Sequence, residues 1–259
     1  MDFYDSSLAA RLFDLQHADD VLLEREREFL LEEIAQTDGP CLDLGCGTGR
    51  VLLPALERHL QVDGCDRSHA FLARLRKRAH ELGLFPHVWQ ADLAAPAAPD
   101  QRYGLAFAAF RTFDHLVAPG KREESLTQAQ HLLKPGGRLL LNLINPEPDD
   151  LFDAVGQPYL IREDLLDNET GRVVLWWAVS RYDPDTRIIH ETTRYEFLDE
   201  TGRIADTYCF LLRVRWTPEE EMREMAQRAG FEVSNVWGGF AREQFQLGTG
   251  DSVWELRKA

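Results

Sequence analysis

Asp43-Leu44-Gly45-Cys46-Gly47-Thr48-Gly49 lies between a short apolar run, Cys41 to Leu44, and a helical run, Arg50 to Leu60. Three glycines in five residues permit positive φ where the chain turns and let a ligand approach the backbone. Three kinds of ligand use such a loop. The dinucleotide pattern G-x-G-x-x-G needs glycine at position 50, which is Arg50. A triphosphate loop ends in Gly-Lys-Ser/Thr, which is absent here.

Asp43 points to the third kind. A carboxylate at the head of the loop repels a pyrophosphate and favours a ligand carrying an ammonium group, such as S-adenosylmethionine. Asp66 closes the next strand 21 residues after Gly45, where an acid accepts from both ribose hydroxyls. Asp92 follows the third strand at the same carboxyl edge of the sheet and is placed to accept from an adenine amino group, with the Leu93 N–H beside it.

Outward from the loop, strand-like and helical runs alternate: QVDGCD, SHAFLARLRKRAHELG, HVWQAD, YGLAFAAF, a helix from about Lys121 to Leu133, then LKPGG turning into RLLLNLIN. Short connections between alternating units predict a doubly wound α/β core with a parallel sheet. After Asn145 the pattern changes to RVVLWWAVSRY, RIIHETTRYEFL and RIADTYCFLLRVRW, joined by Asp183-Pro184-Asp185-Thr186 and Asp199-Glu200-Thr201-Gly202, which reads as an inserted three-stranded antiparallel β-meander. Thr217 is expected to cap a helix with Pro218 at its first position and Glu220 closing a capping box. Residues 1–40 hold 11 acids against 3 bases, with Val21, Leu22, Phe29, Leu30 and Ile34 at helical spacing, so an amphipathic segment with a solvated acidic face is expected. The expected organisation is therefore an N-terminal helical segment over 1–40, a core of 41–145 and 217–259, and an inserted β subdomain over 146–216.

The chain has 259 residues and a formal net charge of −15, which disfavours wrapping nucleic acid or lying on anionic lipid. Its apolar runs, such as Val173 to Val179, fall well short of the ~20 residues that span a bilayer. The first 15 residues show no basic n-region followed by an apolar stretch, so the expected location is the cytoplasm. Cys41, Cys46, Cys65 and Cys209 form no CxxC pair, which argues against a structural zinc site. Asp149 and Asp150 could belong to a metal site, but two acids beside Pro148 read as an exposed helix start, and no metal is expected.

With these motifs in view the sequence resembles the class I S-adenosylmethionine-dependent methyltransferases, in the group that includes the glycine and sugar-amine N-methyltransferases. DLGCGTG is similar to the family's first motif, Asp66-Arg67-Ser68 to its ribose motif, Ala91-Asp92-Leu93 to its adenine motif, and LKPGG to the turn before its fifth strand. The resemblance implies a seven-stranded Rossmann-like sheet whose last strand, here SVWELRK, is antiparallel, with an N-terminal helical lid. It implies cofactor contacts from Asp43, Gly45, Cys46, Gly47, Thr48, Gly49, Asp66, Arg67, Asp92, Leu93 and Phe110.

Phe110 to Leu116 follows the fourth strand and by the resemblance lies beside the methyl group, which makes His115 a candidate base; the lid is expected to close Tyr4 and Phe13 over the methyl donor, and since Phe13 stands where related enzymes often have Tyr, Tyr4 is the candidate for the hydroxyl role. Arg111 is expected either to cap a substrate carboxylate or to pair with an N-terminal acid. No Asn/Asp-Pro-Pro-Tyr motif follows this strand, which, with the charge, makes nucleic-acid bases poor acceptors and a small molecule the expected one. In related enzymes the inserted strands roof the active site or join subunits, so a homodimer stays open. Two readings from other classes also stay open: a catalytically silent nucleoside-binding partner or sensor, and an aminopropyltransferase on the same fold.

Overall fold

The computed structural model describes residues 3–17, 20–147, 151 and 156–258, and Asp149 and Asp150 lie outside them. A seven-stranded sheet has the order β10-β11-β5-β4-β1-β2-β3. Its strands are β1 (Cys41–Leu44), β2 (Val62–Asp66), β3 (Val88–Gln90), β4 (Tyr103–Ala108), β5 (Leu133–Asn145), β10 (Phe231–Trp237) and β11 (Gly250–Lys258). β1 runs parallel to β2 and β4, while β11 runs antiparallel to both β5 and β10. This is the Rossmann-like sheet with an antiparallel last strand that the resemblance implies.

Both faces of the central strands are apolar because helices cover both. Leu42, Leu44, Leu139 and Leu141 face α5 (Lys121–Leu132) and α6 (Glu219–Arg228), burying Leu126 and Met222. Cys41, Leu105, Phe107 and Leu140 face α2 (Val21–Ala35), α3 (Leu52–Glu57) and α4 (His69–Glu81), burying Phe29, Leu52 and Leu75. Polar caps set where the N-terminal helices begin. Ser6 accepts from the Ala9 N–H at the start of α1 (Ser7–Gln16), Asp20 from Leu22 and Leu23 in α2, and Ser68 from Phe71 in α4.

The inserted subdomain has four strands, one more than expected: β6 (Tyr159–Asp167), β7 (Arg172–Asp183), β8 (Ile188–Leu198) and β9 (Ile204–Arg215), in sequential antiparallel order. The missed strand β6 pairs with β7 irregularly, with register shifts between Leu160 and Arg162 and between Arg162 and Leu165. Each shift breaks the period-two alternation by which a strand is recognised. The inward face of this second sheet, including Val174, Tyr195, Phe197 and Phe210, packs on Phe3, Ala9, Leu12 and Phe71.

Two further expectations need correction. The helix after β9 begins at Glu219, with Pro218 at the N-cap in an extended conformation (ψ 152°); no side-chain cap forms, and the buried Thr217 hydroxyl has no hydrogen-bond partner among the described residues. The acidic face of α2 is not wholly solvated. Val21 and Leu22 are 61% and 59% exposed, whereas Glu26 and Glu33 are buried with Leu23, Leu30 and Ile34. Each buried acid meets an arginine: Glu33 pairs with Arg138 at 2.6 Å, and Glu26 pairs with Arg50 while its other oxygen accepts from the Phe110 N–H at 2.7 Å. Removing one partner of a buried pair leaves a charge unpaired, so Glu26→Ala should lower the unfolding free energy by about 3–5 kcal/mol, whereas Leu22→Ala should change it by less than about 0.5 kcal/mol. Urea unfolding of the two variants checks both values, and equal effects would contradict the buried placement of Glu26.

Candidate active site

The carboxyl ends of β1, β2 and β4 open into a cleft of about 960 Å³, counting the open solvent at its mouth. The glycine loop forms its floor, with Gly45, Cys46, Gly47 and Thr48 all on the lining. Gly45 has φ +86°, and a Cβ there would stand 2.3 Å from Thr112 Cγ2, so glycine is what allows the loop and the rim after β4 to touch. At Gly47 the nearest atom to a Cβ is Phe71 Cδ1 at 3.8 Å, and the space in front of this residue belongs to the cleft. Gly49 is not on the lining. Its Cβ would meet Leu53 Cγ at 2.8 Å, so glycine here lets α3 close against the loop.

Three acids border the cleft. Asp43 is 2% exposed, and its Oδ1 has no hydrogen-bond partner among the described residues. Burial pushes its carboxyl up to about 8; Arg50 opposes this, while Asp66 and Glu26 add to it. Asp66 accepts from the Gly47 N–H at 2.9 Å and the Ser68 N–H at 2.7 Å, and burial raises its carboxyl in spite of these donors. Asp92 accepts from the Ala94 N–H at 2.8 Å and lies on the lining beside Leu93. An acidic floor with an unpartnered buried oxygen and a glycine-made space suits a cationic nucleoside.

Tyr4 and Phe13 bring the N-terminal segment to the lining of the cleft. Asp14 on α1 accepts from the Thr48 hydroxyl at 2.6 Å and from Arg74 and Arg78 of α4, so one carboxylate ties α1 to the loop and to the helix behind β2. The Ser68 hydroxyl donates to the Tyr4 carbonyl oxygen, and Arg67 stacks 5.0 Å over the Tyr4 ring. Tyr4, Phe13 and Phe71 thereby form an aromatic wall, with ring centroids 5.4–5.6 Å apart between Phe71 and the other two.

The rim after β4 is built on two successive left-handed residues, Phe110 (φ +50°) and Arg111 (φ +57°). This conformation costs roughly 1–2 kcal/mol per non-glycine residue, and two side chains hold it by accepting the freed N–H groups: Glu26 takes that of Phe110 and Asn142 that of Arg111, at 2.7 and 2.9 Å. The turn leaves the Phe110 ring on the cleft and sends the Arg111 guanidinium away from it, to Asp251 on β11 at 2.8 and 2.9 Å. Arg111 therefore neither lines the cleft nor pairs with an N-terminal acid.

His115 lies at the end of the rim, in a 3-10 turn over Thr112–His115. Its Nδ1 is 3.0 Å from the Arg213 carbonyl oxygen of β9, which can only accept, so Nδ1 carries the proton in the neutral ring. The lone pair at Nε2 then faces the Tyr4 hydroxyl at 2.9 Å. Arg122, 2% exposed, fixes the distance between rim and β9 by donating to the carbonyl oxygens of Leu116 (3.0 Å), Asp114 (3.2 Å) and Arg215 (2.5 Å). Beside it Asp114 accepts from the Ile144 N–H at 2.7 Å, and burial pushes its carboxyl up to about 7.

Glu26, Arg50, Arg122 and the Arg213 carbonyl were not anticipated. Glu26 had a signal, since Leu23, Glu26, Leu30 and Glu33 share one helical stripe. For Arg122 and Arg213 no local pattern existed, because their partners lie up to 98 residues away.

Residues 41–137 match the methyltransferase domain family. Over 125 residues the chain is 33% identical to the demethylmenaquinone methyltransferase of Thermus thermophilus, a match covering 47% of this chain and 54% of that protein. The chain thus spans about half the length of the curated relatives it matches. Among solved structures, the CcbJ methyltransferase of Streptomyces caelestis is 26% identical with a TM-score of 0.75, covering 92% of this chain and 96% of that one. CalS10 of Micromonospora echinaspora, an amino pentose methyltransferase solved with S-adenosylmethionine bound, shares the fold at 20% identity and a TM-score of 0.69, covering 94% of both chains. Residues 41–137 thus form a methyltransferase domain on a Rossmann-like sheet. Its cofactor is S-adenosylmethionine.

Below about pH 8 the free Asp43 carboxyl is neutral, and the cofactor's ammonium favours the carboxylate, so binding should release a proton. Affinity for S-adenosylhomocysteine, which carries the same ammonium, should rise as pH increases from 6 to 8 and level off above. Calorimetry in buffers of different ionisation enthalpy reads the proton directly, and Asp43→Asn should abolish both effects. Asp66→Ala should weaken binding by about 1.5–3 kcal/mol; unchanged affinity in a folded variant would remove Asp66 from the site.

Proposed function

We propose that the protein is an S-adenosylmethionine-dependent methyltransferase acting on the amine nitrogen of a small-molecule acceptor. The observation that carries this reading is the Tyr4–His115 hydrogen bond at the mouth of the cleft. S-adenosylmethionine, when bound, supplies a methyl group on a positively charged sulfur. Asp43 would hold its ammonium, Asp66 with Arg67 its ribose, Asp92 and Leu93 its adenine, and the Gly45–Thr48 backbone the space between.

Displacement from a sulfonium needs alignment and a dry pocket more than a protein nucleophile. Residues 1–40 act as a lid for this purpose and residues 146–216 as a roof, with Phe13 and Phe110 excluding water. An amine acceptor arrives protonated and has no lone pair until that proton leaves. Tyr4 accepts it through its oxygen as its own proton passes to His115 Nε2, giving an imidazolium held at Nδ1 by the Arg213 carbonyl. The freed nitrogen lone pair would then be held by Tyr4 and His115 in position to take the methyl group that bound S-adenosylmethionine would supply. A hydroxyl acceptor of ordinary pKa would need a stronger base than this pair provides, which is why nitrogen is preferred over oxygen. The reading takes the reaction to be cytoplasmic and, by net charge, free of nucleic acid.

Incubation with labelled S-adenosylmethionine and matched sets of amines and alcohols tests the assignment. S-adenosylhomocysteine should form with amines alone, and no turnover with any acceptor in the presence of tight cofactor binding would favour a silent binding module. His115→Gln and Tyr4→Phe should each lower turnover by about 10²–10⁴-fold with cofactor affinity little changed. The loss should shrink as pH approaches the acceptor's own pKa, because solvent then removes the proton; a loss equal at every pH would make the pair structural.

A further inference from the structure

The inward face of β8 changes character along its length. Thr193, Tyr195 and Phe197 are buried, with Tyr195 and Phe197 packed over the N-terminal helices. Glu191 has the same parity and therefore faces the same way, beyond the stretch that covers α1. Its neighbours across the sheet are Ser180 on β7 and Leu212 on β9. The Ser180 hydroxyl lies 3.4 Å from Glu191 Oε2. Arg213, the residue after Leu212, is the one whose carbonyl holds His115. Glu191 is thus set on the roof one strand spacing, about 4.8 Å, from the strand that anchors the proposed base.

The carboxylate is mostly covered yet lacks a counterion. Glu26, Glu33 and Asp167 each have an arginine within 4 Å, whereas Glu191 has no ion pair among the described residues. The cation that acts on it is Arg111, whose Nε and Nη2 both donate to Asp251. Burial raises the Glu191 carboxyl above the usual carboxylate range, as expected for an acid that awaits a cation.

We propose that Glu191 is the acceptor-recognition residue, binding the protonated amine of the arriving acceptor from the roof side before its proton passes to Tyr4 and His115. The inference rests on the methyltransferase reading and narrows it: the acceptor is a cationic amine, and neutral alcohols of the same shape are discriminated against at binding. Ser180 supports the carboxylate, and Arg111, already neutralised by Asp251, does not compete for it.

The test uses the full chain loaded with S-adenosylhomocysteine. Calorimetry measures binding of three probe amines, benzylamine, cyclohexylamine and methyl 3-amino-3-deoxyglucopyranoside, against benzyl alcohol, cyclohexanol and methyl glucopyranoside. At least one amine should bind at pH 7 about 10–100-fold more tightly than its alcohol counterpart, the range of a charge-assisted hydrogen bond. Glu191→Gln should remove that advantage while leaving S-adenosylhomocysteine affinity unchanged, and Glu191→Asp should retain part of it. Equal binding of every amine and its alcohol, no binding of any amine, or a preference that survives Glu191→Gln would overturn the assignment. Failure of the wild-type chain to bind S-adenosylhomocysteine would instead overturn the methyltransferase reading beneath it.

Discussion

A buried carboxyl group is costly to ionise without a counter-charge, and Asp43 is such a group, its Oδ1 without a hydrogen-bond partner among the described residues. It lies near the end of β1, the strand flanked by β2 and β4 in the middle of the sheet, at 2% exposure. The surroundings do little to relieve it. Arg50 helps, yet Glu26 already claims Arg50, and Asp66 adds a second negative charge nearby. A cation entering from the cleft resolves the conflict, and the glycine loop leaves the space for it. The site's preference for a positively charged ligand is thus built into the central strand.

The remaining structure determines what that ligand faces. Asp14 ties α1 to Thr48, Arg74 and Arg78, and Arg11 ties the same helix to Asp167 and Glu169 at the end of the second sheet. Arg122 joins the rim to β9 through three carbonyl oxygens. The N-terminal segment, rim and second sheet consequently meet around Tyr4 and His115, two side chains 111 residues apart in sequence. Burial keeps the His17 imidazole neutral, its pKa lowered to about 4, and its ring packs against Phe110 and Trp176.

The parts legible in the sequence were those whose cause is local. The loop and the acids Asp66 and Asp92 were readable because each sits at a strand end fixed by the alternating pattern. Arg111 was not, since two consecutive left-handed residues turn its side chain from the cleft toward Asp251, and neither Phe110 nor Arg111 advertises that conformation. Gly49 looked like part of the ligand cradle, and only the packing of Leu53 and Leu75 shows what it accommodates. Strand β6 was hidden by its own irregular register, and the buried acids of α2 by the habit of assigning acids to water. The resemblance placed Tyr4 and His115 each near the methyl donor, and their hydrogen bond to one another follows no spacing rule.

The most direct test is a crystal structure of the chain with S-adenosylhomocysteine. The expected result is the amino group of the ligand hydrogen-bonded to the Asp43 carboxylate, with the ribose hydroxyls at Asp66 and the sulfur directed toward Tyr4 and His115. A ligand bound in the cleft with its amino group in solvent and Asp43 still unpartnered would contradict the account at its foundation.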